Sequence, residues 1–244
     1  MTDPELPVFA RPAVLVFNKT NGFRHGAAIA AADQTFSELA EANGWDVYVT
    51  DNAAVHTRDS LHKFRLVVWN NVSGDVLCVD QRQALRQWLE AGGAWLGVHA
   101  SGGDLSYDWD WYVDEVIGTQ FHGHTLEPQF QDAELLVTDA SEPMTAHLQS
   151  SWRIPAEEWY AFASNPREKG YEILLTLDKN SYVTKGELAP GWIDNMPGEH
   201  PQVWRHHLRE GRVFYSAIGH QAETYRLPEY RELLNHAMRW GMRQ

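Results

Sequence analysis

A single cysteine, Cys78, stands among the 244 residues, which excludes an internal disulfide framework and any site built from several thiolates. No basic group adjoins it in sequence to lower its pKa, so it reads as structural. Long apolar runs are also missing, and no stretch of about 18 apolar residues exists to span a membrane. The opening Met1-Thr-Asp-Pro-Glu-Leu-Pro7 lacks the basic start and apolar centre of a secretion signal, so a cytoplasmic location is expected. Basic residues are in the minority, 20 Lys and Arg against 33 Asp and Glu, for a net charge of −13. Such a field repels a phosphate backbone; nucleic acid is a poor partner, and strongly anionic substrates are disfavoured. Neither G-x-G-x-x-G nor G-x-x-x-x-G-K-[ST] occurs, which argues against a dinucleotide or a nucleoside triphosphate.

What is present fits one α/β domain over residues 11–244 behind a flexible segment 1–10, with 12 histidines and 11 tryptophans standing out. The apolar runs Ala13–Phe17, Asp46–Thr50, Leu66–Trp69, Ala94–Val98 and Arg212–Ser216 read as core strands. Ile29, Ala32, Phe36, Leu39 and Ala40 recur at helical spacing before Asn43-Gly44, as do Leu85, Trp88 and Leu89 before Gly92-Gly93. Tyr230, Leu233, Leu234, Ala237 and Met238 mark a terminal amphipathic helix. Strands alternating with helices predict right-handed crossovers and a flavodoxin-like, doubly wound sandwich with a mostly parallel sheet. Between Asp104 and Arg209 the pattern loosens, with strand candidates at 133–137, 159–162 and 171–177 read as an elaboration on the same core.

In open α/β sheets the loops beyond the carboxyl ends of the strands diverge and leave a crevice for ligands. Four loops qualify here: Asn21–His25, Asn70–Gly74, His99–Gly103 and Ile218–Gln221. Three of them carry a histidine, and His25, His99 and His220 are expected to converge at that edge. His122-Gly-His124 adds an H-x-H pair which, in extended chain, puts both rings on one face, for a metal, for substrate oxygens or as plain loop structure. Glu157-Glu158 precedes a strand-like segment, so one carboxylate is expected to face the crevice and its neighbour solvent. If Glu158 is the inward one, it can act as acid or base, or orient an imidazole. The turn Gly97-Val-His-Ala-Ser101 has the form of a nucleophile elbow with His99 at its centre, and neither G-x-S-x-G nor a cysteine elbow is present.

At these residues the sequence resembles the ThuA-like family of trehalose-utilisation proteins, whose fold is similar to class I glutamine amidotransferases. The matching segments are Asn21–His25, Gly93–His99, Phe121–His124, Glu157–Tyr160, Pro201–Trp204 and Gly211–His220, spread over roughly residues 13 to 242. The resemblance implies that His99 takes the place of the amidotransferase cysteine, so glutamine hydrolysis is not expected. It also implies a link to disaccharide catabolism through 3-keto-glycosides. Glu142 departs from the histidine common in the family at the position before Pro143, and Thr125 departs from the usual proline after His124.

The expected function is therefore an enzyme acting on a disaccharide or its 3-keto derivative, with acid-base chemistry by His25, His99 and Glu158. Arg24, Asn70, His124, Trp204 and His220 are then expected to hold hydroxyls and the ring face of a small sugar. No cofactor is required, although a divalent metal is permitted, and a homo-oligomer is left open. The competing expectations are a non-catalytic carbohydrate-binding or regulatory module, and a metal-dependent hydrolase built on His122 and His124.

Overall fold

The computed structural model describes residues 4–193, 196 and 198–244. The first three residues of the segment read as flexible thus lie outside it. Leu6 and Phe9 pack against the core, and the Ala10 and Arg11 amides donate to Asp46.

In chain order the elements are β1 (Ala13–Phe17), α1 (Gly26–Ala42), β2 (Asp46–Thr50), α2 (Arg58–Leu61), β3 (Leu66–Asn70), α3 (Val79–Glu90) and β4 (Ala94–Val98). Then come β5 (Phe121–Gly123), β6 (Gln131–Val137), β7 (Ser151–Glu157), β8 (Ala161–Phe162), β9 (Glu172–Leu177), β10 (His200–Leu208), β11 (Gly211–Ser216) and α4 (Pro228–Gly241). Every residue of β1, β3 and β4 is buried, as expected of strands covered on both faces. Alternation sends Val14, Val16, Val68 and Leu96 into one apolar layer with Phe36 of α1 and Leu233 and Leu234 of α4. Leu15, Phe17, Val67 and Trp95 enter the opposite layer with Leu61 of α2 and Leu85 and Trp88 of α3. Each such aliphatic side chain contributes about 1.5–3 kcal/mol by burial, so a charged residue at Leu234 breaks the clamp of α4 on the sheet.

Among the described residues nine strands form one sheet in the order β2-β1-β3-β4-β11-β10-β9-β6-β7. The first five pair in parallel and give the doubly wound half, while β10, β9, β6 and β7 extend it antiparallel. The segment expected as an elaboration is thus part of the sheet itself. The candidates at 133–137 and 171–177 fall in β6 and β9, whereas 159–162 shrinks to the two residues of β8, paired with β5. β7 and β10 escaped a period-2 reading because each carries a proline, Pro155 or Pro201, which interrupts the alternating signal. Among the described residues no helix is long and apolar enough to cross a membrane.

Candidate functional site

The carboxyl ends of β1, β3, β4 and β11 lie side by side, and the three expected histidines meet above them. His25 caps the start of α1, where its carbonyl accepts from the Ile29 amide at 2.8 Å. His99 follows β4 at φ 45, a left-handed conformation rare for a residue with a side chain, and its carbonyl accepts from the Tyr215 hydroxyl at 2.7 Å. The strained elbow foreseen in the sequence is therefore present, with an imidazole where such turns hold a nucleophile. His220 follows β11, its amide donating to Glu157 Oε1 at 3.0 Å. The ring centroid of His25 lies 4.9 Å from that of His99 and 4.6 Å from that of His220.

Glu158 enters from the antiparallel half of the sheet. Its Oε2 lies 3.2 Å from His220 Nδ1 and 3.4 Å from His99 Nε2, and those two nitrogens are 3.2 Å apart. Around a tetrahedral ion with nitrogen and oxygen ligands at about 2.0–2.1 Å, neighbouring ligand atoms stand about 3.3 Å apart, so these three atoms already form one face of such a site. With His25 the set is complete: one ligand atom from each of His25, His99, Glu158 and His220 lies within 4.8 Å of all the others. His99 Nδ1–H donates to the Ala217 carbonyl at 2.8 Å, which leaves the Nε2 lone pair aimed at the cluster. His25 Nδ1 is buried and has no hydrogen-bond partner. Burial, with His99 and His220 alongside, pulls the His25 pKa down to about 2, so this ring is a neutral donor at physiological pH. Burial alone would raise the Glu158 carboxyl, yet the adjoining His220 and His99, with His124 beyond them, hold it well below the usual carboxylate range.

On the outer side of Glu158, Oε1 accepts from Gln129 Nε2 at 2.8 Å and lies 3.2 Å from His124 Nε2. His124 Nδ1 faces the Thr125 carbonyl at 2.9 Å, and burial lowers its pKa despite the opposing pull of Glu158. Tyr160 stacks on His99 at 4.4 Å, with its hydroxyl 2.9 Å from Nε2. Burial and Glu158 raise the Tyr160 pKa, which keeps the phenol protonated. Gly103 has no side chain because a Cβ there would come within 2.6 Å of the Tyr160 hydroxyl. These groups line a cavity of about 280 Å³ together with Phe23, Phe121, Leu126 and Trp192.

Several sequence expectations are corrected. Asn70 is fully buried, and its amide donates to the Ile29 carbonyl at 2.9 Å and to Asp33 at 2.8 Å, tying β3 to α1 rather than meeting a ligand. Trp204 is fully buried under the sheet, its indole donating to the Ile117 carbonyl. Arg24 is exposed and turns back toward Thr20 and Asn18, away from the cavity wall. His122 does not join His124, because the strand ends at Gly123 (φ 142) and the period of two does not carry across that turn. The metal-type set is the three loop histidines with Glu158 instead. Glu157 does not face solvent either: Ala156 is left-handed (φ 50), the alternation breaks, and both glutamates point inward. Glu157 then accepts from the His220 amide, the Glu158 amide and the Thr224 hydroxyl, fastening the loop after β11 to the end of β7. Tyr160 and Gln129 went unremarked in the sequence. Tyr160 was open to detection as the residue two beyond Glu158, on the same side of an extended segment.

Comparison with known proteins agrees with this fold. Over 98% of its length the chain superimposes on 95% of a ThuA-like protein from Bacteroides uniformis, with a TM-score of 0.80 at 25% identity. A ThuA-like protein from Parabacteroides merdae matches over 95% and 90% of the two chains, with a TM-score of 0.70 at 16% identity. The fold extends to a protein described as a GMP synthase component from Thermoplasma acidophilum, with a TM-score of 0.56 at 10% identity over 96% and 95% of the chains. No curated protein matches the sequence. The family model described as "ThuA: Trehalose utilisation" matches residues 13–241, the whole sheet and every residue of the histidine–glutamate cluster, and the chain belongs to that family.

Proposed function

We propose that the protein is a cytoplasmic sugar-catabolic enzyme that takes a disaccharide or its 3-keto derivative into the cavity beside a divalent cation held by His25, His99, Glu158 and His220. The observation that carries this reading is the convergence of three imidazoles and one carboxylate, from four separate segments, on a point that opens into a cavity. Three nitrogens and one oxygen suit zinc or a similar first-row ion, whose chemistry would be polarisation of a sugar oxygen.

With those four residues engaged, His124 and Tyr160 are left to handle protons. A 3-keto group acidifies the adjacent C–H. His124 Nε2 takes that proton, and Glu158 Oε1, 3.2 Å away, stabilises the imidazolium that forms. Tyr160 remains protonated and donates a hydrogen bond to the ketone oxygen as negative charge gathers there. The C–O bond to the glycosidic substituent then breaks, a carbon–carbon double bond forms beside the ketone, and the imidazolium returns its proton to the departing oxygen.

Incubation with trehalose and with 3-keto-trehalose, with zinc or manganese supplied or removed, and assay of free sugar tests the reading. Release from the keto sugar that depends on metal is the expected result. Absence of turnover of either sugar with every metal tried overturns it.

A further inference from the structure

We infer that the mouth of this cavity is a subsite for a flat, apolar substituent on the substrate, so that the protein prefers glycosides with an aryl leaving group over those with a second sugar. This inference rests on the sugar-binding reading above. Nine large apolar side chains are strongly exposed among the described residues, and only two of them are aromatic, Phe23 and Phe130. Both stand at the same place. The Phe23 ring lies 4.8 Å from that of His25, and the Phe130 ring 4.9 Å from that of His220, while His25 and His220 adjoin each other at 4.6 Å. Two phenyl rings thus flank the paired imidazoles, Phe23 in the cavity wall and Phe130 beside it, next to the lining residue Gln129.

These rings are held in the open. The Phe23 carbonyl accepts from the Ser73 hydroxyl at 2.7 Å, and the Asn21 and Gly22 amides both donate to the Ser73 carbonyl, which zips that loop to its neighbour. Phe130 sits between Gln129, bonded to Glu158, and Gln131, bonded to Thr125 and to the Val183 carbonyl. Phe23 is 73% exposed and Phe130 42%, so each forgoes much of the roughly 1.5–3 kcal/mol that a buried phenylalanine gains. An apolar surface kept in water at the lip of a binding cavity is accounted for by a ligand that covers it.

Size and polarity choose the ligand. A space of about 280 Å³ holds roughly nine waters at about 30 Å³ each, which suits one pyranose ring and leaves its substituent at the mouth. A second sugar there could lay only its C–H face on the phenyl rings while its hydroxyls stayed in water, so it would cover less of the apolar surface. An aryl group instead stacks on those rings.

Isothermal titration with methyl α-glucoside, phenyl α-glucoside, their 3-keto derivatives, trehalose and phenol, on zinc-loaded protein, tests the subsite. Phenyl glycosides are expected to bind at least tenfold more tightly than the matched methyl glycosides and than trehalose, with phenol alone binding weakest. The substitution Phe130→Ser, outside the cavity lining, is expected to erase most of the phenyl advantage while leaving the methyl glycoside unchanged, and adding Phe23→Ser to erase the rest. Equal affinities for phenyl and methyl glycosides, or trehalose the tightest ligand, overturn the subsite and leave the sugar reading standing. Phenol as tight as the phenyl glycosides shows a merely sticky surface and overturns it likewise. Binding of no glycoside by the folded protein overturns both.

Discussion

Loading the cluster with a divalent ion should stabilise the fold by an amount that can be set in advance. A ligand that binds only the folded state stabilises it by RT ln(1 + [L]/Kd), about 2.7 kcal/mol at a free concentration one hundred times Kd. For a chain of 244 residues, each kcal/mol moves the melting temperature by roughly 2–4 °C, so zinc is expected to raise it by about 5–11 °C. Glu158→Gln removes the one anionic donor. If that weakens binding a hundredfold, the same zinc concentration stabilises by only about 0.4 kcal/mol, and the shift shrinks to roughly 1–2 °C. His25→Ala should act in the same direction, since its buried Nδ1 has no other partner. His122→Ala should keep the full shift, because His122 lies outside the cluster. Differential scanning calorimetry on chelator-treated protein, titrated with zinc or manganese, reads all four cases. Absence of a shift with either metal, or a full shift that survives Glu158→Gln and His25→Ala, refutes the reasoning from ligand geometry.

Stability should also fall in mild acid through His56, a fully buried ring that accepts the Trp69 indole N–H at 3.3 Å and whose pKa burial lowers from 6.5 to about 3. Between those values the unfolded chain binds a proton that the folded one refuses; stability is full above pH 6.5 and is lost as pH falls, by about 2 kcal/mol at pH 5. Denaturant unfolding of His56→Gln should show a pH 7 to pH 5 decline smaller by about that amount, and an unchanged decline contradicts the assignment. Tyr160→Phe should lower kcat on the keto substrate by roughly 10²-fold or more with the fold intact by circular dichroism, and unaltered turnover removes Tyr160 from the chemistry. Trp204→Phe should cost about 1–3 kcal/mol, by leaving the Ile117 carbonyl without its donor, yet leave glycoside affinity unchanged when both are measured.

The parallel half of the fold was legible because its strands are continuous apolar runs and its helices keep a 3.6 period, signals that survive without any knowledge of neighbours. The loops after those strands were legible for the same reason: once the strands are placed, topology puts His25, His99 and His220 on one edge. The antiparallel half was harder, since β7 and β10 each contain a proline and β7 changes face at Ala156. That local left-handed residue turns Glu157 inward against the alternation rule. Asn70 and Trp204 misled for another reason. A polar or aromatic residue near a predicted crevice looks like a ligand contact, and only the packed fold shows that the Asn70 amide serves a helix carbonyl and the Trp204 indole serves a buried turn.

Because the carboxylate is delivered by the outer, antiparallel strands and the imidazoles by the inner, parallel ones, the centre works as a seam joining two halves of one sheet. Loosening the outer half withdraws the one carboxylate of the cluster while the three imidazoles stay put, so heat or limited proteolysis should silence the protein well before its nucleus melts. The Glu157 clamp onto the loop after β11 is then the stitch whose loss opens the seam first.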